Sequence, residues 1–253
     1  MKLVISNIEQ FKNFFDVVYD VANEIIELQF FIDKMTCAVL DRGRVRFFYV
    51  EYESKFFDEY NVDDVDSVCV FLQDMYNLLK LANKTDTLTL EFDDSKMSAQ
   101  LESDGNRRVF EFTLPFEDTF SPKFPSDTLA VTLNLETSEM NQSVKDIKLI
   151  GTDIFQFVIS KDNISLMSDS TTATDAFSST KYAQVIEAEV DVDDVMSVRF
   201  NLDYIAQMLK FDKINKEVNI QIDERALFYK FEDDIMGVCV RGMIAPRVEM
   251  EVE

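Results

Sequence analysis

Residues 71–94 read FLQDMYNLLKLANKTDTLTLEFDD, and residues 201–224 read NLDYIAQMLKFDKINKEVNIQIDE. Set at an offset of 130, Leu72 falls on Leu202, Met75 on Ile205, Leu78 on Met208, Leu79 on Leu209 and Lys80 on Lys210. The register continues with Leu81 on Phe211, Leu88 on Val218, Leu90 on Ile220 and Phe92 on Ile222. In each stretch apolar residues recur at helical spacing, break at polar residues, and then alternate strictly. That order predicts helix, turn and strand, occurring twice. Two amphipathic helices match by chance easily; a shared switch from period 3.6 to period 2 does so much less often.

A second pair lies upstream in each half. Ile8, Phe11, Phe15, Val18, Val21 and Ile25 form a helical stripe, opened by a capping box from Ser6 to Glu9. Met140, Val144, Ile147, Ile150 and Ile154 repeat it near an offset of 129. Phe110 to Leu114, Val131 to Leu135, Leu227 with Tyr229 and Phe231, and the run Met236 to Ile244 read as short strands. The class is α+β, with two similar domains at 1–114 and 129–253. Between them, 115–128 carries three of the four prolines, at Pro115, Pro122 and Pro125, together with Phe116, Phe120 and Phe124. Proline fixes φ and donates no hydrogen bond, so this is an extended connector. Its phenylalanines either pack on a domain or offer a strip to a partner.

Composition narrows the function. Among 253 residues, 25 Lys+Arg stand against 48 Asp+Glu, a net charge of −23, yet 47% are hydrophobic, which is enough for a core. There is no histidine, which excludes His triads, His bases and His-ligated metals. Cys37, Cys69 and Cys239 are odd in number and far apart, fitting buried thiols better than a disulfide framework or zinc site. The five glycines stand singly, so no phosphate-cradling loop is present and a nucleotide-using enzyme is disfavoured. No apolar run spans a bilayer, and the N-terminus meets Glu9 too early for a signal peptide. A soluble intracellular protein without cofactor or metal is expected.

The chain resembles the DNA polymerase sliding clamps of the proliferating-cell nuclear antigen (PCNA) type. The resemblance covers essentially the whole length. It is carried by the first helix running into Ala22-Asn23-Glu24, by Ala38-Val39-Leu40-Asp41 followed by Val45, by Leu72 to Asp86 with Thr87 to Leu90, and by the connector. The ending Met236-Gly237 to Ile244-Ala245-Pro246-Arg247-Val248-Glu249 is its most specific mark. The resemblance implies two domains, each with two helices packed on antiparallel sheets, and three chains closing into a ring around DNA. It implies sequence-independent binding of duplex DNA, a polymerase and other partners held by short peptide motifs, a clamp loader, and no catalysis.

The charge pattern has the sign such a ring needs. The helices offer Lys12, Lys80, Lys84, Lys145, Lys148, Lys210 and Lys213, with Lys216 just after. Glu9, Asp16, Asp20, Glu24, Asp74, Glu136, Glu139, Asp146, Asp203 and Asp212 nearly balance them, so most of the acid lies elsewhere. Any one lysine also fits an ordinary solvated helix face; Lys80 and Lys210, at equivalent repeat positions, favour phosphate contact. Acidic residues around Lys12 set the first helix apart from the family's basic face.

By resemblance, the partner peptide sits against Leu40, Arg44, Val45 and Phe47, Phe124 and Pro125 of the connector, and Met243, Ala245 and Pro246. Arg44 departs from the common family residue. Leu40, Val45 and Phe47 are also good core residues. Subunit contacts fall on Val109, Phe110 and Phe112 of one strand and Lys181, Tyr182 and Val185 of another. Two other readings stay open: a monomeric or dimeric processivity subunit of the same fold, and an acidic DNA mimic that inhibits a DNA-binding enzyme. The lysines at equivalent helix positions argue against the mimic. Acid pairs such as Asp63-Asp64 and Asp93-Asp94 read as solvated turns before they read as metal ligands.

Overall fold

The repeat of helix, turn and strand is realised twice in the computed structural model, which describes residues 1–93, 95–116, 122–124, 131–170, 180–187, 190, 192 and 194–247. The chain forms two units, Met1–Pro125 with Glu232–Arg241, and Ser126–Phe231 with Gly242–Glu253.

The first unit contains β1 (Lys2–Ile5), α1 (Ile8–Val18), β2 (Ile25–Phe30), β3 (Lys34–Leu40) and β4 (Arg46–Glu53). A 3-10 turn at Ser54–Phe56 leads to β5 (Glu59–Asn61), β6 (Asp66–Phe71), α2 (Leu72–Leu81), β7 (Thr87–Phe92), β8 (Lys96–Ser103) and β9 (Asn106–Thr113). One antiparallel sheet runs β5-β1-β7-β8-β9, and a second contains the run β4-β3-β2-β6. The second unit contains β10 (Val131–Glu136), α3 (Thr137–Leu149), β11 (Ile154–Ile159), β12 (Asn163–Ser170), β13 (Thr180–Glu187) and β14 (Met196–Asn201). It continues through α4 (Leu202–Met208), a 3-10 helix at Leu209–Lys213 and β15 (Glu217–Ile222); β16 (Leu227–Asp233) and β17 (Val238–Ile244) are each divided between the units, after Phe231 and after Arg241. Its strands run β13-β12-β11-β14 and β10-β15-β16. The fold is α+β, with two helices on antiparallel sheets in each unit.

The repeat extends to hydrogen-bond detail. Asp93 Oδ1 accepts from the backbone N–H of Ser95 at 2.9 Å and of Lys96 at 2.7 Å. At the same offset, Asp223 Oδ1 accepts from the N–H of Arg225 at 2.8 Å and of Ala226 at 3.3 Å. The aspartate thus closes the β7–β8 and β15–β16 turns alike, the local side-chain bonding that suits this residue to turns. Hydrogen bonds from Ser95 and Lys96 hold the Asp93 carboxyl below its ordinary pKa.

Aromatic packing fills both cores. Phe11, Phe14, Phe15 and Tyr52 are essentially inaccessible, and the Tyr52 hydroxyl donates to the Phe11 carbonyl at 3.2 Å. In the second unit Phe155, Phe157 and Phe200 are fully buried, as are Phe211 and Phe231. Each such ring contributes on the order of 2–3 kcal/mol by leaving water. Cys37 and Cys239 are buried, Cys69 is half-buried, and no disulfide joins them. Among the described residues no helix is long and apolar enough to cross a membrane.

Three local expectations are corrected. The first helix ends at Val18, well before Ile25, because the N–H groups of Val21 and Ala22 both turn back to the Val18 carbonyl and Ile25 opens β2. Ser6 does not cap the helix: Asn7 is the cap residue, its side chain makes no cap hydrogen bond, and Ser6 Oγ instead donates to Asp58 at 3.1 Å. In the second repeat the helix tightens to 3-10 at Leu209, whereas α2 stays α-helical to Leu81.

Candidate nucleic-acid interface and partner groove

In the first unit α1 packs on α2, burying Phe11, Phe15, Met75, Leu78 and Leu79. Their opposite faces carry Lys12, half-buried, and Lys80, exposed; α2 ends at Leu81, so Lys84 stands exposed in the turn after the helix rather than on it. Lys84 pairs with Glu9 of α1 at 2.8 Å. Lys80 Nζ lies 5.1 Å from the ring centre of Tyr76, which stacks on Tyr19 at 3.8 Å. In the second unit Lys145 and Lys148 are exposed on α3, and Lys148 reaches Asp203 of α4 at 3.6 Å. Lys210 and Lys213 are exposed on the 3-10 helix, while Lys216 pairs with Asp212 at 2.9 Å. Asn201 starts α4 by accepting from the Asp203 N–H at 2.9 Å, a cap that Phe71 cannot supply to α2. Lys80 and Lys210 therefore share a repeat position but stand on helices of different pitch.

A groove of about 1000 Å³ opens in the first unit along β2, β3 and the turn after it. Leu40 and Arg44 line it, with Ile25, Ala38, Arg42 and Pro122. Asp41 builds its rim: Oδ1 accepts from the N–H of Val45 at 2.8 Å and of Arg46 at 2.9 Å, and Oδ2 pairs with Arg46 Nε at 3.0 Å. With its carboxylate so committed, Asp41 is only 4% exposed. The turn puts Arg44 at φ 54, left-handed and exposed. Val45 is half-buried and does not line the groove, and Phe47 is buried, its ring meeting Phe124 edge-on at 5.4 Å. The connector thus packs on β4 at Phe124, one of the two alternatives that its composition left open. Pro125 lies outside the described residues.

Met243, Ala245 and Pro246 belong to the second unit, each half-buried. The chain beyond β17 is tied there by Arg247, whose N–H donates to the Arg199 carbonyl at 2.7 Å and whose side chain pairs with Asp153 at 2.9 Å. Ile25 and Pro122 escaped the sequence reading of the groove. Pro122 carried a signal as a connector proline, but Ile25 was absorbed into the helical stripe.

The proposed contact strands are the outermost of their sheets: β9 ends one and β13 ends the other. On β9, Val109 is 55% exposed, while Phe110 and Phe112 are half-buried and stacked at 6.4 Å. Arg108 of the same strand pairs with buried Asp86 at 2.6 Å. Burial pushes the Asp86 carboxyl up, but hydrogen bonds from Asn83 and Ser103 and the Arg108 charge outweigh it, leaving the pKa below its ordinary value. On β13, Val185 is 61% exposed, while Tyr182 is half-buried and turned to Ser143 of α3. The Lys181 side chain lies outside the described residues.

Comparison with known proteins agrees with this architecture. The family model described as "Proliferating cell nuclear antigen, N-terminal domain" matches residues 2–119. The "DNA polymerase sliding clamp" of Methanothermobacter thermautotrophicus is 23% identical, over 94% of this chain and 93% of that protein. "DNA polymerase sliding clamp 3" of Sulfurisphaera tokodaii is 27% identical, over 98% of this chain and 100% of its own length. Among solved structures, the PCNA of Entamoeba histolytica superposes with a TM-score of 0.81 at 15% identity, covering 98% of both chains. A chain of the PCNA2–PCNA3 complex from Sulfolobus tokodaii gives 0.78 at 22% identity, covering 98% of this chain and 100% of that one. With the repeat, the sheet orders and these full-length relatives in agreement, the chain belongs to the PCNA family of DNA polymerase sliding clamps.

Proposed function

We propose that this processivity factor works as a homotrimeric ring that encircles duplex DNA and tethers a polymerase by a short peptide. The observation that carries the ring is the pair of outermost strands, one in each unit, with apolar Val109 and Val185 exposed on them. A bare strand edge is a liability unless something pairs with it. Head-to-tail pairing of β9 of one chain with β13 of the next covers both edges and closes when the rotation permits. The lysines on the helix faces then meet phosphates without reading bases, which gives the salt-sensitive, sequence-independent attraction that sliding requires. Tethering needs no catalysis, cofactor or metal. A loader opens the ring, and the protein acts inside the cell at sites of DNA synthesis.

Light scattering of the native particle tests the assembly. The expected mass is three times the 29.3 kDa chain. A persistent monomer or dimer, also when loaded on DNA, would overturn the ring in favour of a one-sided processivity subunit. A trimer that forms only with a second, different clamp chain would replace the homotrimer by a mixed ring, the kind of assembly named for the Sulfolobus tokodaii complex.

A further inference from the structure

Three of the candidate lysines already meet carboxylates: Lys84, in the turn after α2, with Glu9; Lys148 of α3 with Asp203; and Lys216, just past the 3-10 helix, with Asp212. Each must give up that partner, or share it, before it binds a phosphate. Lys80 is held differently. Its Nζ stands 5.1 Å from the Tyr76 ring centre and donates to the Tyr76 hydroxyl at 3.5 Å. Among the described residues no carboxylate pairs with it.

Tyr76 is itself fixed in place. Its ring stacks on Tyr19, just past the end of α1, with centroids 3.8 Å apart and planes 7° from parallel. The Tyr19 hydroxyl donates to Gln73 Oε1, and Gln73 Nε2 donates to Asn77 Oδ1 at 3.0 Å. These side chains join α1 to α2 on the face opposite buried Met75, Leu78 and Leu79. The second repeat has Ala206 where the first has Tyr76, so no ring stands at that position.

We infer that Tyr76, backed by Tyr19, is a positioning residue for Lys80 that holds its ammonium ready for a DNA phosphate. The inference rests on the reading of these helix faces as DNA-facing. A ring face attracts a cation through its quadrupole and carries no net charge. It therefore restrains the long lysine stem, which otherwise loses much rotamer freedom on binding, without cancelling the positive charge. A carboxylate in the same place would restrain the lysine and neutralise it together.

The test uses the full chain and a short blunt DNA duplex, with affinity read by fluorescence anisotropy across a salt series. Lys80→Ala is expected to reduce the slope of log K against log salt by about 1, as for one lost phosphate contact. Tyr76→Ala should weaken binding by about two- to fivefold, the range of an exposed cation–π contact. Tyr76→Phe should retain most of the affinity, and Tyr76→Ala with Lys80→Ala should bind no worse than Lys80→Ala alone. The ring-current shift of the Lys80 ε-methylene in NMR spectra should disappear in Tyr76→Ala and persist in Tyr76→Phe. Should Tyr76→Ala lose its fold, Tyr76→Leu keeps apolar cover over α1 and carries the same expectation. Weaker binding by Lys80→Ala beside unchanged binding by the folded Tyr76 variants overturns the positioning role alone. Wild-type affinity and slope for Lys80→Ala overturn that role and the DNA-facing reading of Lys80 together.

Discussion

Tyr182 of β13 donates to Ser143 Oγ of α3 at 3.0 Å, and Ser143 in turn donates to Gln184 Oε1 at 2.6 Å. Ser143 has no exposure at all. The outermost strand of the second unit is therefore bolted to α3 through Tyr182 and Gln184, and Val185 is left exposed. Of the candidates whose side chains are described on this strand, Tyr182 bonds within its own unit and Val185 is the exposed one.

This separates two kinds of variant. Ser143→Ala is expected to lower the stability of the second unit by about 1–2 kcal/mol, because Gln184 Oε1 and the Tyr182 hydroxyl lose a buried partner. Val185→Asp should leave the melting of the isolated chain nearly unchanged and weaken assembly instead. Calorimetry and light scattering on both variants check the division.

Changing Lys80, Lys145 and Lys210 together to Ala should reduce clamp-stimulated synthesis on long templates, most clearly at low salt, where phosphate attraction is strongest. All three are exposed, so the oligomer should persist. Unchanged processivity across a salt series would count against these positions.

The Asp86–Arg108 pair sets an acid dependence. The Asp86 pKa is lower in the fold than its ordinary value of about 3.9. Its stabilisation is therefore complete above that ordinary value and is lost as pH falls through the lower folded value. Asp86→Asn should be less stable than wild type at neutral pH, with the gap narrowing in acid. Urea unfolding at a series of pH values measures this, and a gap that widens on acidification would give the opposite sign.

Most of the fold was legible because core faces impose strict periods. Leu88, Leu90 and Phe92 alternate inward on β7 as Val218, Ile220 and Ile222 do on β15, so strand identity and the buried face followed from spacing. Where the helix stops was not legible. Val21 and Ile25 keep helical spacing past Val18, and only the turn at Val18 and the pairing of Ile25 with Phe71 cut the helix short. The groove rim was hidden for a similar reason. Asp41 and Arg46 are ordinary surface types, and nothing local shows that one carboxylate will gather two N–H groups and a guanidinium.

For the peptide contact expected by resemblance, Phe47→Ala is a poor probe, since Phe47 is 2% exposed and packs on Phe124, and its loss should cost about 3–5 kcal/mol of stability. Ala245→Asp, half-buried just past β17, should instead weaken binding of the cognate polymerase's C-terminal peptide by about 1–3 kcal/mol with the fold intact. Titration calorimetry decides; equal affinities would place the peptide elsewhere.

Gly242 offers a packing test. A Cβ built there would lie 2.0 Å from the Tyr229 ring, so Gly242→Ala forces the ring or the strand aside. The expected cost is about 1–3 kcal/mol, measured by denaturant unfolding.

The proposed ring covers the outer edges of β9 and β13, and a lone chain leaves both bare. Below the concentration at which chains find their correct neighbours, each carries two templates for mistaken strand addition. The net charge of −23 then acts as a guard, because mutual repulsion keeps lone chains apart until a matched edge is met. Salt weakens that repulsion. High salt is accordingly the condition under which off-pathway aggregates of lone chains should first form.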